Sequence, residues 1–229
     1  MSYTEFSHLT ELVNKKVLFY DLETSGLPIN KGYKELPENR YYPYTSNDKY
    51  DSSRIVQIGW LFMKDFDYDY EITLDNISEL IVKPDGFVIP DNVIAIHKIT
   101  NEFAKTNGKT INQALKNFSK HIEKSDYIIG YNIYFDIYIL LNEFARLNMN
   151  KPINKILDLI KNKKILCVQE LSKKYKGFTP KQVNMYEELF GKPLEHAHNA
   201  KSDILATINI LTWYKENISI RKKRKIEQI

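Results

Sequence analysis

The sequence is poor in cysteine and in long apolar runs, and each shortage excludes a class of protein. Cys167 has no second cysteine to pair with, which excludes an internal disulfide and favours a reducing compartment. No run of about 18 apolar residues is present to span a bilayer, and residues 1–14 lack the basic and apolar regions of a secretory signal. We therefore expect an intracellular protein with no membrane partner, in the cytoplasm or the nucleus.

An excess of charge of one sign is also missing, since 33 lysines and arginines face 29 acidic residues and the net charge is only +4. So small an excess does not by itself indicate a nucleic-acid partner. Five basic residues lie together at 221–225. This cluster fits a solvated, disordered tail, and it also fits a segment that contacts phosphate or directs localisation. We assign residues 1–216 to one domain and 217–229 to a basic C-terminal tail.

The sequence does contain the apolar core of a globular domain, because 43% of its 229 residues are hydrophobic. Apolar runs and alternation predict strands at four places: 16–21, 55–63, 68–82 and 127–130. Apolar faces at helical spacing predict five helices, which begin near residues 90, 110, 136, 179 and 203. Along the chain the predicted strands come first, and helices that alternate with a strand follow. This order indicates an α/β fold with a mixed sheet.

A long polar stretch at about 28–53 separates the first two predicted strands and is rich in tyrosine. An insertion of this length between neighbouring strands is unusual and indicates a functional or a mobile loop. Its tyrosines either stack on unpaired bases or pack locally as a flap. They are Tyr33, Tyr41, Tyr42, Tyr44 and Tyr50.

Carboxylates occur where a packed core would not place them. Asp21 and Glu23 stand two residues apart at the end of an apolar run, so a strand would put both on one face, about 6 to 7 Å apart along it. Asp136 stands at a predicted helix start, and His198 and Asp203 surround another. Each alone is more often a helix cap or a hydrogen-bonded residue than a catalytic group. Together the acids indicate a metal site, or a cluster that something pairs with.

Three segments strongly resemble the three motifs of the DEDD exonuclease family. They are Asp21-Leu-Glu-Thr-Ser-Gly-Leu27, Tyr131-Asn-Ile-Tyr-Phe-Asp136 and His198-Asn-Ala-Lys-Ser-Asp203. The His198 to Asp203 spacing is similar to the DEDDh branch, which includes the proofreading epsilon subunit of bacterial replicative polymerases. Ile96-His97-Lys-Ile-Thr100 resembles a further element of that branch. The resemblance implies a ribonuclease H-like mixed sheet of about five strands flanked by helices.

The resemblance also implies a two-metal site for hydrolysing phosphodiesters, with two Mg²⁺ or Mn²⁺ ions held by carboxylate oxygens. Asp21 would bridge both ions, Glu23 and Asp203 would serve the ion that binds the attacking water, and Asp136 would act at the other ion, partly through water. Glu23 and His198 are the predicted catalytic residues, and His198 would be the general base. His196 competes for that role, but the spacing to Asp203 favours His198.

Five further residues occupy positions that line the pocket for the terminal nucleotide in similar enzymes. They are Thr24, Leu27, His97, Asn132 and Phe135. Leu27 would press against the base, Thr24 and His97 would face the sugar or its 3′ hydroxyl, and the other two would shape the wall. Core packing is the alternative for Leu27 and Phe135. Tyr131 departs from the family pattern, because proofreading members often have histidine there, and the 28–53 insertion has no counterpart in compact members.

The function that the resemblance implies is a metal-dependent 3′→5′ exonuclease that releases nucleoside 5′-monophosphates from single-stranded ends. DNA is favoured over RNA, because the segment at His97 and the helical C-terminal half are more similar to the proofreading branch. The alternatives are an RNA-trimming exoribonuclease and a catalytically silent nucleic-acid-binding module. A purely structural protein would leave the clustered acids unexplained. A polymerase or another replication or repair protein is the expected partner.

Overall fold

A five-stranded mixed sheet forms the centre of the fold. The computed structural model describes residues 7–32 and 40–226. The strands are β1 (Val17–Thr24), β2 (Ile55–Met63), β3 (Ser78–Ile81), β4 (Tyr127–Gly130) and β5 (Ile165–Cys167). Their order across the sheet is β3-β2-β1-β4-β5. β2 is antiparallel to both β1 and β3, whereas β4 is parallel to both β1 and β5. The predicted α/β fold with a mixed sheet of about five strands is confirmed.

Eight α-helices surround the sheet in the described part of the chain. They are α1 (Asp91–His97), α2 (Asn101–Asn107), α3 (Ile111–Lys124), α4 (Ile133–Arg146), α5 (Asn150–Lys161), α6 (Val168–Lys176), α7 (Gln182–Phe190) and α8 (Ala200–Ile226). Short 3₁₀ helices lie at Ser7–Leu12, Asn47–Lys49 and Leu74–Asn76. None of the described helices is both long enough and apolar enough to cross a bilayer.

Alternation along β1 sends its side chains to two different cores. Leu18 and Tyr20 pack in one core with residues of α3 and α4, such as Phe118 and Leu140. Phe19 packs in the other core, with α8. Because the period is two, the odd-numbered acids of β1 continue the face that α8 covers.

Gly59 on β2 lies opposite Asp21 on β1 and allows α8 to approach the sheet closely. A Cβ atom at position 59 would lie 2.7 Å from the Cβ of Ala200 and 3.1 Å from the Cδ1 of Ile204. Only glycine leaves enough room there, and a glycine inside an apolar strand often marks such a contact. The first turn of α8 is thereby held directly over Asp21.

Several predicted elements are confirmed and others are corrected. Thr110 caps α3 through a capping box with Gln113, as its position predicted. The strand predicted within 68–82 is shorter, because only Ser78–Ile81 pairs with β2. The helix predicted to begin near residue 179 begins instead at Gln182, because Lys181 is still extended.

The insertion is a packed flap where the structure describes it, and Tyr33 lies outside the described residues. The ring of Tyr41 stacks on Tyr138 of α4 at 4.8 Å between centroids. Tyr50 is 1% exposed, and its hydroxyl donates to the carbonyl of Tyr42. Tyr44 packs against the same core. The packed-flap interpretation therefore fits Tyr41 and Tyr50, whose rings are buried, while Tyr44 is half-buried.

A buried ion pair fixes the end of the flap beside β1. Arg54 Nε lies 2.7 Å from Glu143 Oε1, and a second guanidinium nitrogen lies 3.1 Å from Oε2. Arg54 also exchanges two hydrogen bonds with Ser25, one from each backbone nitrogen. The turn that follows β1 is thus tied to α4.

The boundary predicted at residue 217 does not coincide with the end of a helix. The α8 backbone is continuous from Ala200 to Ile226, so the basic cluster 221–225 is helical. Residues 227–229 of the predicted tail lie outside the described part of the chain.

Candidate active site

One cleft of about 690 Å³ collects all ten predicted site residues. It opens where β1 ends, among α1, α4, α7 and the start of α8. The predicted side chains that line it are Asp21, Glu23, Thr24, Leu27, His97, Asn132, Phe135, Asp136, His198 and Asp203. The structure thus brings all ten predicted residues to one cleft, although they come from separate elements.

Three of the carboxylates, those of Asp21, Glu23 and Asp203, form a compact cluster that we call the acid group. Asp21, Glu23 and Asp203 each offer one oxygen, and these three oxygens lie within 4.8 Å of one another. Asp21 and Glu23 share a face of β1, and Asp203 reaches them from the first turn of α8 across Gly59. Three oxygen ligands at this spacing fit a hard divalent cation such as Mg²⁺ or Mn²⁺.

Asp136 lies in the same cleft but outside this group of three. It is 4% exposed, and its Oδ1 accepts a hydrogen bond from the backbone nitrogen of Leu22 at 3.2 Å. One carboxylate oxygen is thereby tied to β1. This placement fits a carboxylate that serves a second ion partly through water.

Burial and mutual repulsion disfavour the charged forms of these acids. Burial, and after it the charge of the nearby Asp203, raise the pKa of Glu23 to about 8. Burial also raises the pKa of Asp203 to about 7, although a hydrogen bond from the His198 backbone opposes the shift. Burial is also the main reason that the pKa values of Asp21 and Asp136 lie well above the ordinary value for an aspartate. A bound cation would relieve this repulsion.

The turn before α8 separates the two candidate histidines. His196 and His198 both have left-handed backbone, with φ of 54° and 63°. The backbone nitrogen of His198 donates to Asp203 Oδ2 at 3.1 Å, which ties this residue to the acid group. His198 lines the cleft, whereas His196 lines a separate cavity of about 240 Å³. The geometry thus brings His198, and not His196, to the three acids.

His97 is a buried side chain with one nitrogen left for a ligand. Its Nδ1 accepts from the backbone nitrogen of Ile99 at 3.0 Å, so the neutral ring carries its proton on Nε2. Nε2 is buried and has no partner among the described residues. Burial also lowers the pKa of His97 and favours the neutral ring. An unsatisfied buried donor in a cleft calls for a partner from outside the chain.

The other predicted pocket residues differ in exposure. Leu27 is 74% exposed, so the core-packing alternative is wrong for this residue. Phe135 packs partly against the core and also lines the cleft. Thr24 Oγ1 donates to the Gly26 carbonyl and holds the turn, while Asn132 starts α4 in a left-handed conformation without a side-chain cap.

Tyr131, the departure from the family pattern, uses its hydroxyl inside the protein. The hydroxyl donates to the Pro180 carbonyl at 3.0 Å, and Tyr131 is 7% exposed. Gln182 holds the acid group from the same side, because its Nε2 donates to the Asp203 carbonyl at 2.7 Å. Sequence reasoning missed these contacts, since they join distant segments. Gly59 was also missed, although a glycine inside an apolar strand was a usable signal.

Comparison with known proteins gives one family and one structural group. A family model described as "Exonuclease" (RNase_T) matches residues 18–211. Comparison with curated proteins finds no match. Among solved structures, E. coli exonuclease I in complex with a dT13 oligonucleotide is similar with a TM-score of 0.64 and 19% identity, over 93% of this chain and 43% of that one.

Two further structures of the same kind are similar. A zinc-bound E. coli exonuclease I complex with single-stranded DNA has a TM-score of 0.64 and 18% identity, covering 89% of this chain and 41% of that one. Exonuclease I from Methylocaldum szegediense has a TM-score of 0.57 and 16% identity, covering 88% of this chain and 40% of that one. The chain thus spans less than half the length of these proteins. At these identities the likeness shows the fold, which is ribonuclease H-like.

Proposed function

The chain belongs to the RNase_T exonuclease family, and from this premise we propose that it is a divalent-metal-dependent 3′→5′ exonuclease acting on single-stranded nucleic acid. The predicted resemblance to DEDD exonucleases is confirmed by that membership. The observation that carries the proposal is the acid group, in which oxygens of Asp21, Glu23 and Asp203 lie within 4.8 Å in a cleft that also holds Asp136 and His198.

The donor set supports Mg²⁺ or Mn²⁺ as the cofactor. Asp21, Glu23 and Asp203 would hold one ion, and Asp136 would serve a second together with Asp21. When bound, the two ions would neutralise charge on the phosphate and lower the pKa of water. The four carboxylates have raised pKa values in the absence of a cation, which favours binding of positive charge.

The chain's own residues supply the remaining parts of the reaction. His198 would accept the proton of the attacking water as the new P–O bond forms. The bond to the 3′ oxygen of the penultimate nucleotide breaks, that oxygen takes up a proton from solvent water, and a nucleoside 5′-monophosphate leaves. His97 would donate from Nε2 to the terminal sugar or its 3′ hydroxyl, because that buried donor lacks a partner among the described residues. Exposed Leu27 would press on the terminal base.

DNA is the favoured polymer. The support is that two similar structures, those of E. coli exonuclease I, hold a dT13 oligonucleotide or single-stranded DNA. RNA trimming is the second candidate, since the acid group would serve either polymer. A silent binding module is disfavoured, because all four carboxylates and His198 line the cleft together. A polymerase or repair partner stays a prediction.

The test is a time course on 5′-labelled single-stranded DNA and RNA of one sequence, with Mg²⁺, with Mn²⁺ or with EDTA. We expect a ladder that shortens from the 3′ end of DNA and stops in EDTA. Asp21→Ala should abolish cleavage, because it removes a carboxylate from the acid group. Cleavage that survives EDTA, full activity of Asp21→Ala, or removal of the 5′ label as a mononucleotide would each overturn the proposal. Faster cleavage of RNA would reverse the polymer choice.

A further inference from the structure

Among the residues that the structure describes, one lysine and no arginine lines the acidic cleft. The charged carboxylate residues of its lining are Asp21, Glu23, Asp136 and Asp203. In the described part of the chain, Lys181 is the one lysine or arginine that also lines it. Lys181 is exposed, and its ammonium group takes part in none of the ion pairs or side-chain hydrogen bonds of the described residues. A strand of phosphates entering this cleft would therefore meet Lys181 as its available cation.

The backbone on both sides of Lys181 is fixed to the site. The preceding carbonyl, of Pro180, accepts from the Tyr131 hydroxyl at 3.0 Å and from Gln169 Nε2 at 3.4 Å. The following side chain, of Gln182, donates to the Asp203 carbonyl at 2.7 Å. Lys181 is extended at the point where α7 begins. Its position relative to the acid group is thus set by contacts, while its own side chain stays free to reach a ligand.

An exposed aromatic ring lies three residues before this lysine. Phe178 is 58% exposed and follows Gly177, whose left-handed backbone, with φ of 84°, ends α6. Lys176 Nζ lies 5.7 Å from the centroid of the Phe178 ring and pairs with Glu188 at 2.6 Å. Three residues of chain span at most about 11 Å, so Phe178 lies within one or two nucleotides of Lys181.

We propose that residues 178–181, the "178–181 segment", bind the nucleotides that precede the terminal one, with Lys181 on a backbone phosphate and Phe178 stacked on an unpaired base. An aromatic ring beside an unpaired cation is the usual means of holding a single strand without reading its sequence. The inference rests on the proposed function and adds a preference to it. The enzyme takes oligonucleotides several residues long in preference to dinucleotides, because the one internucleotide phosphate of a dinucleotide is the scissile one and leaves none for Lys181.

Binding measured without cleavage tests this subsite. The experiment uses fluorescein-labelled dT12 and dT2 with Mg²⁺, in an Asp21→Asn background that blocks hydrolysis, across 50 to 300 mM salt. Lys181→Ala should weaken dT12 binding about threefold to tenfold and reduce the slope of log K against log salt by about 0.7. Lys181→Arg should restore both values. Phe178→Ala should weaken dT12 binding by about fivefold or more with an unchanged slope.

Matched substitutions away from the cleft serve as controls. Lys161→Ala removes an exposed lysine at the end of α5, and Phe103→Ala removes a ring of 48% exposure on α2. Both should bind dT12 like the parent.

Three outcomes separate the subsite from the function. If wild type degrades DNA and both segment variants lose dT12 affinity more than dT2 affinity, the subsite is supported. If wild type degrades DNA while both variants keep the parental affinity and salt slope, the subsite is wrong and the proposed function stands. If wild type degrades neither DNA nor RNA, the proposed function fails and the subsite with it.

Discussion

At the scale of single residues, the burial and mutual repulsion of the carboxylates in the acid group destabilise the folded state, and this effect depends on pH. The pKa of Glu23 is about 8 in the folded protein, against 4.5 for an ordinary glutamate, and that of Asp203 is about 7, against 3.8. At a pH between the ordinary and the raised pKa of each residue, the folded state therefore binds more protons than the unfolded state. By linkage, the free energy of unfolding must fall as pH rises from about 5 to about 8.

We expect the melting temperature of the metal-free protein to be lower at pH 8 than at pH 5.5. Mg²⁺ should raise the melting temperature more at pH 8, where more carboxylates are charged in its absence. Scanning calorimetry in EDTA and in Mg²⁺ at both pH values measures this, and Glu23→Gln should reduce the pH dependence. A melting temperature that rises toward pH 8 in EDTA would contradict the electrostatic account.

The two histidines before α8 offer an internal comparison. We expect His198→Ala to lower kcat by at least about 10²-fold, because a general base contributes 10²- to 10⁴-fold. His196→Ala should leave kcat close to that of wild type, because His196 lines a different cavity. Steady-state kinetics on a single-stranded oligonucleotide measures both. Equal losses of kcat in the two variants would mean that activity depends on the conformation of the turn and not on the imidazole of His198.

The sequence predicted the members of the site more completely than their arrangement. The period of a strand placed Asp21 and Glu23 on one face, and that geometry is local. The separation of Asp136 from the other three acids, and the contact of Tyr131 with Pro180, depend on how helices pack against the sheet. No pattern within one segment encodes those distances.

At the scale of elements, the approach of α8 to β2 assembles the acid group. The helix carries Asp203, and at Gly59 the helix lies directly against the strand. An added methyl group would have to push Ala200 away, since their Cβ atoms would lie 2.7 Å apart. The same shift would carry Asp203 away from Asp21.

We expect Gly59→Ala to lower kcat by at least about tenfold, because a displacement near 1 Å at a catalytic group costs up to 10²-fold. It should also destabilise the protein by about 1–3 kcal/mol through overpacking. Adding Ala200→Gly should recover part of the activity, since it removes the methyl group that clashes. Kinetics and urea unfolding of the single and double variants measure this. An unchanged kcat in Gly59→Ala would show that the contact does not position Asp203.

Prediction of elements succeeded where periodicity was long and failed where elements were short. The sequence predicted α3 from an apolar face that continues over 14 residues and from the capping residue before it. β5 has three residues at the edge of the sheet, and α6 follows it without a turn, so neither leaves a clear period. α5 was not predicted, although its buried Ile153, Ile156 and Leu159 recur at helical spacing.

At the scale of the whole molecule, the depth of the acid group limits which nucleic-acid ends can react. Asp136 and Asp203 are 4% and 9% exposed, and the cleft that contains them holds about 690 Å³. A base pair at the end of a duplex would have to open before its phosphodiester reached these carboxylates. Each stacked step costs about 1.4 kcal/mol to open, which is about tenfold in population.

We therefore expect a blunt, fully paired duplex to be degraded at least about tenfold more slowly than the same strand alone. Three mismatched nucleotides at the 3′ end should bring the initial rate back toward that of the single strand, because no opening is then required. Heating toward the melting temperature of the duplex should narrow the difference, and 5′ mismatches serve as the control that leaves it unchanged. Rates are measured from 5′-labelled strands with enzyme in large excess. Equal rates on paired and mismatched ends would mean that the protein opens duplex ends itself, and the buried carboxylates would then need a different route of access.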